Sequence, residues 1–447
     1  MKNTKNSVDE LLPSRSKFSP FRILTAAKDP EAFFKMGQKK QGDPYCEWMP
    51  GMGDVYITGH PEGAKDIFSS PRETFQEFKS SLLRPLLGDQ SLVVLGGDRH
   101  KREKKLMMPP FHGKRLQIYG RIIQEVTLEQ IKKWKKNSKF LARTELQTIT
   151  LEVILRAIFG IVDPSQHEKW RLAMSSYLNN YTPLLTLIPF LRKKIYRPWK
   201  TFLRSRETLD QYLLEEISES LKFGPETRND ILSLLLLSRD EENEGLTPIE
   251  VKDELRTLLV AGHETSAAGL SWAMYYIHND FSIYKTALSE LIPLGSLPSP
   301  EQLIELPFLN AICSEALRIH PIVPIVIRHL AHDMNLRGYR IPAGKHVAVS
   351  LILLHRHLDV WKDPDTYDPN RFINKTYSQY EYAPFGGGAR RCLGAAFAPF
   401  EMKIILGTIL SQVQLELIDS KKISPQLKNI SMGPNSKIPM KVLKSIK

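Results

Sequence analysis

The sequence predicts a mainly α protein with a smaller β part. Three observations carry this. Apolar residues recur at helical spacing through most of the chain. One long helix has its start signal written in full, and β-rich runs are confined to an early hairpin and the last third. About half the chain is expected to be helical, against a usual third.

Taken in order, Cys46 to Thr58 reads as a hairpin, because two short β-rich runs flank Pro50, Gly51 and Gly53. From Pro61 onward helices dominate, with apolar periodicity through Leu116 to Trp134, Leu146 to Phe159, Phe202 to Leu221 and Ile231 to Leu237. Thr247-Pro248-Ile249-Glu250 is a capping box with proline at the first helical position. The pattern it starts runs through Val251, Leu255, Leu258 and Leu259 to about Asn279, a helix of ~50 Å that would cross a whole domain. Strand signals return at Val323 to Leu330, Val347 to Ser350 and Val413 to Ile418. No linker tract or internal repeat divides the 447 residues, which leaves one large domain open although length alone suggests about three.

Composition narrows the function. With 42% hydrophobic and 25% charged residues the chain is an ordinary globular protein. Cys46, Cys313 and Cys392 are too few and scattered for a disulfide framework or a paired-thiol zinc site, so a reducing, cytoplasmic setting is expected. Met1 to Lys17 is polar and lacks a signal-peptide core. No run of 18 or more apolar residues occurs, so at most a peripheral contact with a membrane is expected. The net charge of +13 invites a nucleic-acid or anionic-membrane reading, but no zinc-finger spacing or aromatic RNA-binding box accompanies it. The basic runs Lys101 to Lys105 and Lys132 to Lys136 read as solvated helix faces or as docking sites for an acidic protein.

The chemistry is concentrated in Phe385-Gly386-Gly387-Gly388-Ala389-Arg390-Arg391-Cys392-Leu393-Gly394, followed by an apolar helical pattern. Three glycines let the backbone turn sharply and approach a flat ligand. Arg390 offers a cation to an anionic group. Cys392 stands just before a helix, where free N–H groups and the dipole favour a thiolate, a metal ligand in waiting. The order Phe, three residues, Arg, one residue, Cys, one residue, Gly resembles the haem-binding loop of the cytochrome P-450 family. That resemblance implies haem b, iron protoporphyrin IX, with Cys392 as axial thiolate, Phe385 packed beside it and Arg390 on a propionate.

It also implies three further motifs, and each is present in the expected order. Ala261-Gly262-His263-Glu264-Thr265-Ser266 lies mid-helix, where a glycine costs ~1 kcal/mol relative to alanine and suggests that something approaches closely. In the family the threonine and the adjacent acid, here Thr265 and Glu264, handle protons; a bland alternative is Thr265 bonding back to the carbonyl four residues earlier. Glu315 and Arg318, three apart on one helical face, resemble the family's Glu-x-x-Arg pair, tethered to Arg371 in Pro369-Asn370-Arg371-Phe372; taken alone they would be an ordinary surface ion pair. For the haem carboxylates the sequence offers His100, Lys104 and Arg328, with His100 and Lys104 where tryptophan and arginine are commoner.

The motifs span residues 97 to 394, and their convergence on one haem favours a single oxygenase domain over 1–447, with no fused reductase and the helix of about 247–279 crossing the haem. The implied enzyme is a haem-thiolate monooxygenase that activates molecular oxygen and hydroxylates an apolar substrate. The thiolate favours O–O cleavage, and electrons come from a separate ferredoxin- or flavodoxin-type donor with its reductase. A haem-thiolate isomerase or dehydratase, and a non-enzymatic haem sensor, are the alternatives. Pocket walls are expected from 81–95, 177–189, Leu258, Ala261, 322–327 including Ile325, and 430–432 including Met432, and their greasy content points to a long-chain fatty acid or a terpenoid. The apolar, proline-broken segment 181–191 reads as plain packing, an entrance lip or a membrane-dipping edge.

Overall fold

The computed structural model describes residues 13, 25–26, 28–77, 83–111, 113–161, 163–182, 185, 188–419, 421–428 and 431–445. Its long helix starts where the capping box puts it. The Thr247 hydroxyl accepts the Glu250 N–H, the Glu250 carboxylate accepts the Thr247 N–H at 2.8 Å, and the helix runs Pro248–Asn279. Between Val251 and His278 its one exposed residue is Ala261. A helix buried on every side is an axis for the rest, and Ala142–Phe159, Arg197–Phe223, Pro307–Ile319 and Phe397–Gln412 pack around it. Gly262 makes one of these contacts possible: a Cβ there would lie 2.1 Å from Ile154 Cδ1. The close approach inferred from this glycine is therefore made by a neighbouring helix.

The other expected helices appear as Lys114–Ile131, Ala142–Phe159, Arg197–Phe223 and Ile231–Leu237. A helix over Pro164–Asn180 is additional, capped by the Asp163 carboxylate on Ser165 N–H. The dipeptide Asp163-Pro164 was its readable signal, an N-cap followed by proline at the first position, but a mixed apolar pattern hid the rest.

The early hairpin forms from Tyr45–Met49 and Gly53–Thr58. It continues a five-stranded sheet in the order Tyr45–Met49, Gly53–Thr58, His346–Ser350, Ile325–Leu330, Phe75–Gln76, with Gly53–Thr58 and His346–Ser350 parallel and the other neighbours antiparallel. The strand expected from Val323 begins instead at Ile325, since Pro324 has no N–H to give to a ladder. Among the described residues one helical stretch, Leu393–Gln412, is long and apolar enough to cross a membrane. It packs in the core of the molecule, and Ile404, Ile405, Leu406 and Ile409 are each 0% exposed.

Candidate active site

Cys392 lies at the start of a short turn, Leu393–Ala395, that leads into the helix Phe397–Gln412. Its N–H donates to Phe385 O at 3.0 Å and closes the loop. Gly388 has φ +68°, and a Cβ on Gly387 or Gly388 would come within 2.4 Å of the Phe68 ring or 2.3 Å of its carbonyl oxygen. The loop is thus pressed onto the helix Pro61–Ser69; the glycines answer that contact, where the sequence suggested approach to a flat ligand. Cys46 and Cys313 are buried, and Cys392 is the exposed thiol. Burial pushes the Cys392 thiol up, while the Gly394 N–H, Lys104 and Arg391 pull it down. In the bare protein burial outweighs the helix start, so the expected thiolate requires a metal to stabilise it.

Beside this loop lies a cavity lined by Arg72, His100, Arg328 and Arg390, with Phe68 and Gly387 in its wall and no carboxylate among its described lining residues, Glu77 acting on Arg390 from outside it. Arg328, 8% exposed, donates to Ile327 O and Gly387 O. Burial, then Arg390, pulls its guanidinium down to about 9. Burial and the four cations Arg390, Lys104, Arg72 and Arg328 push His100 down to about 3. His100 is therefore a neutral hydrogen-bond donor, and its expected charge is supplied by Arg72. Sequence reading missed Arg72, a lone arginine in a short turn with no motif. Its Nη1 is buried without a partner among the described residues. Arg390 donates to Leu95 O, and burial lowers its guanidinium too. Clustered cations, one of them buried, call for an anion, and the two propionates of haem fit that donor set. Lys104 is placed differently from the expectation: its ammonium donates to Ala389 O at 2.8 Å and Arg391 O at 3.2 Å, holding the cysteine loop from outside the cavity.

The Glu315–Arg318 pair is buried at 0% exposure on both sides, which rules out the surface-pair alternative. Arg318 meets Glu315 through two bonds, at 2.6 and 2.8 Å, and donates to the carbonyls of His355, Pro364 and Thr366. Arg371 Nε and Asp368 N–H share Glu315 Oε1 at 3.3 and 2.9 Å. His355, another residue missed from sequence, carries the tether onward. Its Nε2 accepts the Ala383 N–H at 3.0 Å, and its Nδ1 lies 3.2 Å from Arg318 O. Burial and Arg318 push it down to about 3, so this imidazole stays neutral and fixes the start of the cysteine loop.

On the long helix, Thr265 donates its hydroxyl to Ala261 O, the local bond that was the bland alternative. Glu264 accepts from Gln147 Nε2 at 2.8 Å and lies 3.7 Å from Arg143. Leu258 is half-buried and Ala261 exposed, so this face of the helix borders open space. Met432 does not: at 1% exposure it packs with Phe33, Tyr45 and Ile352, a core position, and Ile325 packs against the same cluster. Of the expected walls, residues 81, 82, 183, 184, 186, 187 and 430 lie outside the described residues.

One buried acid lies next to this machinery. Glu401, 2% exposed, is pushed up to about 8 by burial, against the pull of the Ser266 hydroxyl. Folded, it keeps its proton to about pH 8; unfolded, it releases it near 4.5. The unfolded chain binds fewer protons between those values, so this residue makes stability fall as pH rises through the window and level off above it. Glu401→Gln should remove that slope and gain up to about 4 kcal/mol over the wild type at pH 8 and above. Urea unfolding at pH 5 and pH 8.5 checks it, and parallel curves for the two proteins would refute it.

A cysteine loop beside a cation-lined cavity is the arrangement a haem-thiolate enzyme would use. The family model described as cytochrome P450 matches residues 21–441. Cytochrome P450 135B1 of Mycobacterium tuberculosis is 33% identical over 409 residues, covering 90% of this chain and 85% of that protein. Cytochrome P450 137 of the same organism is 30% identical over 413 residues, covering 90% and 84%. The solved structure of retinoic acid-bound cyanobacterial CYP120A1 superposes with a TM-score of 0.86 at 25% identity, covering 97% of this chain and 99% of that one. The chain belongs to the cytochrome P450 family. It is accordingly a haem monooxygenase that takes oxygen, an apolar substrate and electrons from a redox partner.

Proposed function

We propose that Cys392 ligates the haem iron, that Arg72, His100, Arg328 and Arg390 hold the propionates, and that the substrate is a long apolar molecule, a fatty acid or a terpenoid. The observation that carries the site assignment is the cation-lined cavity beside the one exposed cysteine. Bound haem supplies the oxygen chemistry; the protein orients and shields it. Residues 1–447 act as one oxygenase domain in this reading. Support for the substrate class comes from the partly open, apolar face of the long helix at Leu258 and Ala261 and from the retinoic acid bound in the cyanobacterial structure, a terpenoid acid. Ten buried methylenes at ~0.8 kcal/mol each outweigh ordering costs by several kcal/mol. Titration of the haem-loaded protein should therefore show a Soret shift at micromolar fatty acid or terpenoid. A response to small polar ligands with none to any lipid would overturn the class and leave the haem assignment standing.

Protons reach the pocket through Thr265 and Glu264 in this proposal. Thr265 turns its hydroxyl from Ala261 O into the opening, and Glu264 leaves Gln147 to recharge it; both moves break one local bond. Thr265→Ala should leave haem binding unchanged and raise the share of electrons lost to hydrogen peroxide, because a positioned proton donor is lost. An unchanged ratio of product to electrons consumed would remove Thr265 from the relay.

The electron donor is proposed to be an acidic ferredoxin- or flavodoxin-type protein meeting the helix Gly97–Met107. Four of its cations are engaged within the chain: Arg99 with Glu103 and Glu250, Arg102 with Asp240, Lys104 with the cysteine loop, Lys105 with Glu241. The Lys105–Glu241 pair is 69% and 79% exposed, so its bond is cheaply exchanged for a partner's carboxylate.

A further inference from the structure

The helix Pro61–Ser69 begins on His60, whose Nδ1 accepts the Glu62 N–H at 3.1 Å. Far along the chain, His357 stands just past the helix Leu351–Leu354. Folding lays the two imidazoles against each other, with ring centroids 4.5 Å apart and planes at 74°. Asp359 joins them, its Oδ2 lying 3.7 Å from His357 Nδ1. One ligand atom from each of His60, His357 and Asp359 falls within 4.8 Å of the other two. His357 Nδ1 is buried without a hydrogen-bond partner among the described residues, and the carboxylate oxygen at 3.7 Å is too far away to serve as one. A buried nitrogen left in this state bears the full cost of its desolvation.

A divalent transition-metal ion would satisfy that nitrogen. Two imidazoles and a carboxylate are a ligand set such an ion takes, whereas calcium and magnesium take oxygen ligands. Bonds of about 2.0–2.1 Å set tetrahedral ligand atoms roughly 3.3 Å apart, so the group has to close by about 1 Å. The Asp359 side chain, 80% exposed, is free to swing inward. His60 has to release the Glu62 N–H, which is exposed and passes to water. Arg337, a cation near enough to act on His60, is itself held by the Asp43 carboxylate at 3.2 Å. We propose that His60, His357 and Asp359 form a binding site for a divalent transition-metal ion of the zinc class, with water in the fourth position. The ion ties the start of the helix whose Phe68 rests on Gly387 and Gly388 to the segment in which His355 holds Ala383. It thereby braces the cysteine loop from outside the cation cavity, and the assignment does not rest on the substrate class.

The test is equilibrium dialysis of haem-loaded full-length protein, stripped of loose metal with a weak chelator, against micromolar zinc chloride at neutral pH. Chain-bound zinc is measured by atomic absorption. Loading haem first keeps the Cys392 thiol from competing for the zinc. The wild type should hold one zinc per chain. His60→Asn with His357→Asn should bind it at least about tenfold more weakly, since even the outer partners of metal ligands are worth about 10–100-fold in affinity. Asparagine keeps a helix cap at position 60, so this variant should retain the wild-type haem spectrum. His357→Asn alone, with the same loss expected, serves if it does not. Millimolar magnesium should leave the zinc in place. No zinc held by the wild type, retention unchanged in the variants, or displacement by magnesium would overturn the site.

Discussion

Cys392→Ala is expected to abolish the strongly red-shifted Soret band that reduced, carbon monoxide-treated haem-thiolate protein gives, while the fold persists, because no other thiol can take its place. Cys46 and Cys313 are each 1% exposed, and burial pushes the Cys313 thiol up to about 12. Only Cys392 is accessible and carries the supporting set of the Gly394 N–H, Lys104 and Arg391. Haem-free wild-type protein should accordingly show one thiol open to labelling, lost in the variant, with two more appearing on unfolding. Retention of the shifted band in Cys392→Ala, or its loss in Cys46→Ala, would move the ligand elsewhere.

The second large effect is expected at Arg318. Replacing it with leucine strands the Glu315 carboxylate at 0% exposure with Arg371 and one N–H as partners, and deprives the carbonyls of His355, Pro364 and Thr366 of a donor. Breaking a buried pair from one side costs about 3–5 kcal/mol. Burial already holds the Glu315 carboxyl above its usual range, against the pull of Arg318, so part of that cost is relieved by a proton. Arg318→Lys should recover less than half of the loss, since an ammonium cannot make the two-bond contact and reach three carbonyls as well. Urea unfolding is the measurement for folded variants, and protease resistance of freshly made chain for any that fail to fold. A loss under about 1 kcal/mol in Arg318→Leu would show that the tether bears little of the fold's stability.

How far the sequence could be read depended on whether the cause lay within a few residues. The capping box at Thr247 is local chemistry, and the helix begins where it was placed. The spacing of Cys392, Arg390 and Phe385 is also local, and the structure brings the three together in one loop. What failed needed knowledge of neighbours far along the chain. Helical spacing put Glu315 and Arg318 on one face and the resemblance named Arg371, which does meet Glu315, but neither could give the carbonyls of His355, Pro364 and Thr366 that Arg318 also meets. Gly262 and Gly387 were correctly taken as places of close approach, yet the approaching groups, Ile154 and Phe68, come from distant helices. The neutral state of His100 could not be read either, because it is set by burial and then by Arg390, Lys104, Arg72 and Arg328. Arg72 itself has no signature except the company it keeps after folding.

The cation cavity also bears on how the protein comes to exist in a cell. Its four side chains come from positions 72, 100, 328 and 390, so the site does not exist on the ribosome until nearly all of the chain has emerged, and closing it means pairing the two ends of the polypeptide. That is a long-range event of the kind that slows folding, and it gathers mutually repelling charges. A dianionic cofactor that binds only the finished arrangement stabilises the folded chain in proportion to its free concentration over its dissociation constant. Cofactor supply would then set how much of each newly made chain survives proteolysis, coupling the abundance of this enzyme to haem synthesis without any dedicated regulator.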